Sequence, residues 1–210
     1  MSDTFPTTTQ YASPDLITSI VYGGHDPAED PRWHESGAAD QEDYGRWCGH
    51  LCGMACLRMA LHHRDGHAPS LFALRDGALR HGAYTEQDGQ IRGLIYAPAV
   101  AYAREVHGLD ARVHPVLPMG RLVELLDEGH QAIVSVHKEI RRPDRPAPGQ
   151  GGHLVLVTGH SGGTLAFRNP SGHTEEARRA ELPVATFAAF FAGRGIVIAP
   201  RSLPQSPGRA

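Results

Sequence analysis

A cysteine, a histidine and an asparagine stand along this chain in the settings that thiol chemistry uses. Cys52 directly precedes Gly53, and an apolar helical run, Met54-Ala55-Cys56-Leu57-Arg58-Met59-Ala60-Leu61, opens behind it. Far downstream His153 follows Gly151-Gly152 and leads the strand-like Leu154-Val155-Leu156-Val157. Asn169 closes the next run, in Phe167-Arg168-Asn169-Pro170-Ser171-Gly172. A thiol is mostly protonated near neutral pH, and only the thiolate attacks. A helix N-terminus sets partial positive charge and free N–H groups beside the sulfur. A neighbouring histidine takes the proton, and a side-chain oxygen orients its ring. On these grounds Cys52 is the expected nucleophile, His153 the base and Asn169 the orienting residue.

Each role has a rival. Cys48 also precedes a glycine, but the apolar helical period starts only after Cys52. Cys56 falls a turn inside the helix, where a free cysteine is usually core. His160 stands near the far end of the strand that His153 begins. Asn169 before Pro170 also suits a plain turn. Arg141, Arg142 and Arg145 sit in a proline-rich stretch and read as a solvated loop or as a substrate clamp. Fourteen histidines and three cysteines at four-residue spacing raise the question of metal. No His-Glu-x-x-His or paired Cys-x-x-Cys pattern occurs, and Gly49 and Gly53 interrupt the helical spacing of the thiols. No metal and no cofactor is expected.

The pattern Cys-Gly-x-Ala-x-Leu-x-Met-x-Leu, with a Gly-His-apolar strand and Asn-Pro downstream, resembles papain-like cysteine peptidases of the bacteriocin-processing, double-glycine-leader type and their stand-alone bacterial relatives. The resemblance spans residues 44–199. It implies an α+β papain-like fold, with a central nucleophile helix packed on an antiparallel sheet, and the roles already given to Cys52, His153 and Asn169. Two positions depart from the family pattern. Met54 stands where a proline or small residue is usual. Arg46 stands six residues before the cysteine, where the family carries its oxyanion-hole glutamine. The candidates for that donor are therefore Gln41, Arg46, His50 or backbone N–H groups.

The elements that must position these residues follow from period and punctuation. Leu16–Tyr22 reads as a short strand and residues 23–40 as a polar loop able to cross the front of the site. Leu51–His63 reads as a helix with a wide buried face. Ser70 is the expected N-cap of a helix over 71–79. Residues 82–93 read as a loop, and 94–107 as a helix whose start is disturbed by Pro98. Strands are expected at 111–116, 131–136, 154–158, 164–168 and 195–199, and helices at 121–127 and 183–191. Residues 1–14 are expected to be disordered, 15–200 to form one domain and 201–210 to be a flexible tail.

A chain of 210 residues with 40% hydrophobic and 20% charged residues suits one domain with a real core. The net charge of −3 and the lack of a basic face argue against a nucleic-acid partner. Met1-Ser2-Asp3-Thr4-Phe5-Pro6 lacks the basic start and apolar core of a signal peptide, and no run is apolar enough to span a membrane. Three cysteines make no disulfide framework. The expectation is a cytoplasmic thiol hydrolase that cleaves a peptide or amide bond through an acyl-enzyme. The alternatives are an acyltransferase using the same triad on a peptide or acyl substrate, and a binding module that has lost catalysis.

Overall fold

The computed structural model describes residues 5–201. In chain order it has helices α1 (Ile17–Tyr22), α2 (Gln41–Trp47), α3 (Cys52–Asp65) and α4 (Leu71–Arg80). A small hairpin of β1 (Glu86–Gln87) and β2 (Gln90–Ile91) precedes α5 (Tyr96–Glu105). Then come β3 (Ala111–His114), α6 (Met119–Asp127), β4 (Gln131–His137), β5 (Gly152–Ser161) and β6 (Thr164–Arg168). The chain continues through α7 (Glu175–Arg178), β7 (Arg179–Pro183), α8 (Val184–Phe190) and β8 (Phe191–Ile198). Six strands form one antiparallel sheet in the order β3-β8-β4-β5-β6-β7, which is the expected α+β class.

Strand alternation divides the core between the two faces of this sheet. Ile133, Leu154, Leu156, Ile196 and Ile198 face α3, α4 and α5. Ala132, Val134, Val136, Val155, Val157 and Val197 face α6 and α8. Helix α3 is buried nearly all round, from Gly53 to Leu57 and again from Met59 to Leu61, because it lies between the sheet and its neighbouring helices. Ser70 caps α4 by accepting from the Ala73 N–H, as its sequence position predicts. Pro98 falls in the first turn of α5, where its missing N–H would have no helical partner anyway. Among the described residues no helix is long and apolar enough to cross a membrane.

Several local expectations are corrected. Leu16–Tyr22 is helical, not a strand: Pro14 opens a 3-10 turn that runs into α1, and only Ile17 of α1 is buried. Residues 5–13 are not disordered but docked, with Phe5, Gln10, Tyr11 and Ser13 buried. Their anchor is Asp30, fully buried, which accepts from the Ser13 N–H and hydroxyl, the Arg32 N–H and the Tyr44 hydroxyl. The Gln10 N–H donates to the Pro170 carbonyl at 2.9 Å, and its Nε2 donates to the Cys48 carbonyl at 3.0 Å. Residues 1–4 and most of the expected tail, 202–210, lie outside the described residues. Within the expected loop 82–93, Asp88 and Gly89 take left-handed backbone and close the β1–β2 hairpin.

Candidate active site

Cys52 is the first residue of α3. The N-cap, Leu51, offers no side-chain hydrogen bond, so the first-turn N–H groups stay available to the sulfur. The glycine after the cysteine has a packing reason. A Cβ on Gly53 would lie 2.6 Å from Leu94 Cδ2 and 3.0 Å from Leu154 Cδ1, so a larger residue there would have to push these two side chains aside. Of the three free cysteines, Cys48 and Cys56 are buried and Cys52 is half-buried.

His153 enters from the opposite layer. Gly151 and Gly152 both have positive φ, 83° and 94°, and bend the chain into β5 just ahead of it. Cys52 and His153 border one cleft of about 250 Å³. The imidazole Nε2 lies 2.9 Å from Asn169 Oδ1 and 3.0 Å from Ser171 Oγ. Asn169 follows β6, which pairs with β5 and so brings the two residues together. The Ser171 N–H donates to Asn169 Oδ1 at 3.1 Å, which fixes the amide with its oxygen toward the ring. An oxygen there requires the proton on Nε2. The Nδ1 lone pair is then left to receive a proton from a thiol.

The second arm of the site was not read from the sequence. Arg141 donates Nε and Nη2 to Ser171 Oγ at 3.0 and 2.9 Å. The hydroxyl, accepting twice, has its own proton free for Asn169 Oδ1, 3.3 Å away. The sequence motif Asn169-Pro170-Ser171 held the signal, a hydroxyl two residues beyond the orienting amide. These groups also set the charge state. Burial, then the Arg141 cation, pull the His153 pKa from 6.5 down to about 4, against the hydrogen bond to Asn169. Burial pushes the Cys52 thiol up, opposed by the Leu154 and Gly53 N–H groups and by Arg141. At neutral pH the resting pair is thiol and neutral imidazole, not the ion pair that the helix N-terminus suggests.

The remaining sequence candidates separate by position. Arg46 is ion-paired with Glu86 at 2.6 Å, and Gln41 Nε2 donates to the Ala28 carbonyl at 2.6 Å. Neither borders the cleft, whereas His50 does, with burial lowering its pKa and keeping its ring neutral. Arg141 is turned onto Ser171. Arg142 is paired with Glu139 and lies 3.9 Å over the Tyr22 ring. The cation that does border the cleft is Arg194 of β8. Among the described residues no three His, Cys, Asp or Glu side chains converge as a metal site.

A central helix packed on an antiparallel sheet, with the head of the helix bordering the sheet's cleft, is the architecture of the papain-like cysteine peptidase fold. More narrowly, the chain has the fold of the C39, or double-glycine, peptidase domains. It superposes on the peptidase domain of Streptococcus ComA, a bi-functional ABC transporter, with a TM-score of 0.51 and 20% identity, covering 73% of this chain and 93% of that one. It also superposes on a C39-like peptidase from Bacillus anthracis with a TM-score of 0.52 and 14% identity, covering 73% of this chain and 90% of that one. No protein-family model and no curated protein matches the sequence.

Proposed function

We propose that this protein is a cysteine peptidase that cleaves a peptide bond through an acyl-enzyme on Cys52. The observation that carries the reading is the 2.9 Å bond from His153 to Asn169 beside the half-buried thiol of the same cleft. As sulfur attacks the carbonyl carbon, its proton passes to His153 Nδ1. The imidazolium returns that proton to the departing amine, leaving a thioester. Water then gives a proton to the same nitrogen, attacks the thioester and releases the acid, and the thiol is restored. Because the resting pair is neutral, His153 acts as a base during attack rather than as the partner of a standing thiolate. Asn169 and Ser171 hold the ring. The Cys52 N–H, with a ring N–H of His50, is the proposed oxyanion donor set. Free thiols of this kind suit a reducing, cytoplasmic setting.

The test is digestion of a proteome-derived peptide library with the protein and with its Cys52→Ala and His153→Ala variants, reading new termini by mass spectrometry. Cleavage lost in both variants is the expected result. An acyl group that stays on Cys52 in water but leaves rapidly to an added amine or thiol would make the protein an acyltransferase. Cleavage unaffected by either substitution would refute the roles given to these residues.

A further inference from the structure

The sheet side of the cleft breaks the apolar pattern of the core. Along β8 the positions facing α3 read Ile198, Ile196 and then Arg194. Along β4 they read Ile133 and then Ser135, and along β5 Leu156, Leu154 and then Gly152. Ile196, Ile133 and Leu156 are register partners across the three strands, and they are buried. One step on, Ser135 pairs with Leu154, and beyond it the apolar stripe stops: Arg194, Ser135 and Gly152 border the cleft with Cys52 and His153. Arg194 is exposed, so the apolar stripe ends at the mouth of the cleft and leaves a cation there within reach of a ligand.

The group is assembled rather than scattered. Tyr96 borders the same cleft as Ser135 and Arg194, and both neighbours pull its hydroxyl pKa down against burial, which raises it. A Cβ on Gly151 would sit 3.4 Å from Arg194 Nη2 and 3.3 Å from Ser135 Oγ, so the glycine leaves room for both. Arg194 forms no ion pair among the described residues, and no carboxylate borders the cleft. A planar fork with two hydroxyls beside it matches a carboxylate.

We propose that Arg194, Tyr96 and Ser135 form a subsite for a carboxylate of the peptide substrate. The proposal rests on the cleft beside Cys52 being the substrate cleft. Two strand spacings separate Arg194 from the His153 strand, about 10 Å, so the carboxylate belongs two or three residues from the bond that reacts. An acidic side chain and a C-terminal carboxylate present the same chemistry there.

The probe is the ratio of Cys52 alkylation rates by iodoacetate and iodoacetamide, which differ in one negative charge. Arg194→Gln should lower this ratio about threefold to tenfold at about 0.01 M salt, and the difference should shrink at about 1 M. Arg194→Lys should hold the ratio near that of the unaltered protein, and Arg194→Glu should lower it further. A ratio unchanged by Arg194→Gln overturns the proposal. Failure of the catalytic reading looks different: peptide cleavage would then persist in the Cys52→Ala and His153→Ala variants. At alkaline pH the thiolate forms without help from His153, so the ratio still reports on Arg194. Two peptide pairs separate the sources, one with Glu or Gln near its centre and one with a free or amidated C-terminus. The acidic member of one pair should protect Cys52 from iodoacetamide at a lower concentration than its neutral partner. Equal protection within both pairs also overturns the proposal.

Discussion

Acidifying this protein from the ordinary histidine pKa of 6.5 to about 4 should weaken its fold through His153 alone. His153 is 6% exposed, and its site resists protonation through burial and the Arg141 cation. A histidine whose proton affinity falls on folding withholds a proton that the unfolded chain accepts. Stability from this residue is therefore whole above 6.5, declines as pH drops through the window, and is fully lost below about 4. The gap of about 2.5 pKa units corresponds to about 3 kcal/mol, a large share of a domain's stability. The assay is urea unfolding of the protein and of His153→Gln at a series of pH values. Taking the difference between the two at each pH cancels the contributions of other histidines and of the carboxylates. That difference should change by about 3 kcal/mol across the window, in favour of the variant at low pH. Arg141→Met should move the midpoint of the change upward, because a repelling cation has gone. A difference that stays flat, or an NMR titration placing the His153 midpoint at or above 6.5, would refute the reasoning.

Cys52 should be alkylated by iodoacetamide at least about tenfold faster than Cys48 or Cys56, because it alone of the three is half-buried and borders the cleft, and the Leu154 and Gly53 N–H groups and Arg141 oppose the rise that burial gives its thiol. Peptide mapping checks this, and earlier labelling of Cys48 would count against it. Ser171→Ala should lower kcat about threefold to thirtyfold with little change in KM, since it loosens the ring without touching substrate, and Ser171→Thr should recover part of the loss. Asn169→Asp should retain activity while the acid limb of its pH profile moves upward, because a carboxylate favours the imidazolium. Asn169→Ala should lose more activity, and an unmoved acid limb in the Asp variant would argue that Asn169 does not face the catalytic proton.

The parts of this protein that could be read from residues were those with a local rule behind them. Cys52-Gly53 and the apolar period behind it mark α3 because helix start, close approach and burial all leave signs within a dozen residues. The Gly151-Gly152-His153 step reads as a backbone bend into a strand for the same reason. The missed elements obey local rules that were present but weak. Asp40 caps α2 by accepting from the Asp43 N–H, and Asp88-Gly89 is a hairpin turn. Strand β7 escapes because it is an edge strand with no fully buried residue, so alternation barely marks it. Ser171, Arg194 and the role of Arg141 on Ser171 were out of reach for another reason. Their meaning depends on which strands become neighbours, and no period along the chain encodes that. The mistaken strand at 16–22 shows the converse: β-branched composition yields to Pro14 and to a location where only Ile17 is buried.

The bonds of Gln10 to Pro170 and to Cys48 have a consequence for the order of synthesis. One amino-terminal residue ties the entry of the thiol helix to the loop that carries the orienting asparagine. Residue 10 leaves the ribosome long before residue 170, so the strap waits until the β6 end is made for one of its two partners. Closing so long a loop is slow and comes late in folding. Until it closes, the two halves of the cleft are held in register by the packing of α3 on β5 and β4 and of α5 on β3 and β8. The cleft therefore gains its full geometry only after the β6 end has been made, with His153, Asn169 and the strap all in place.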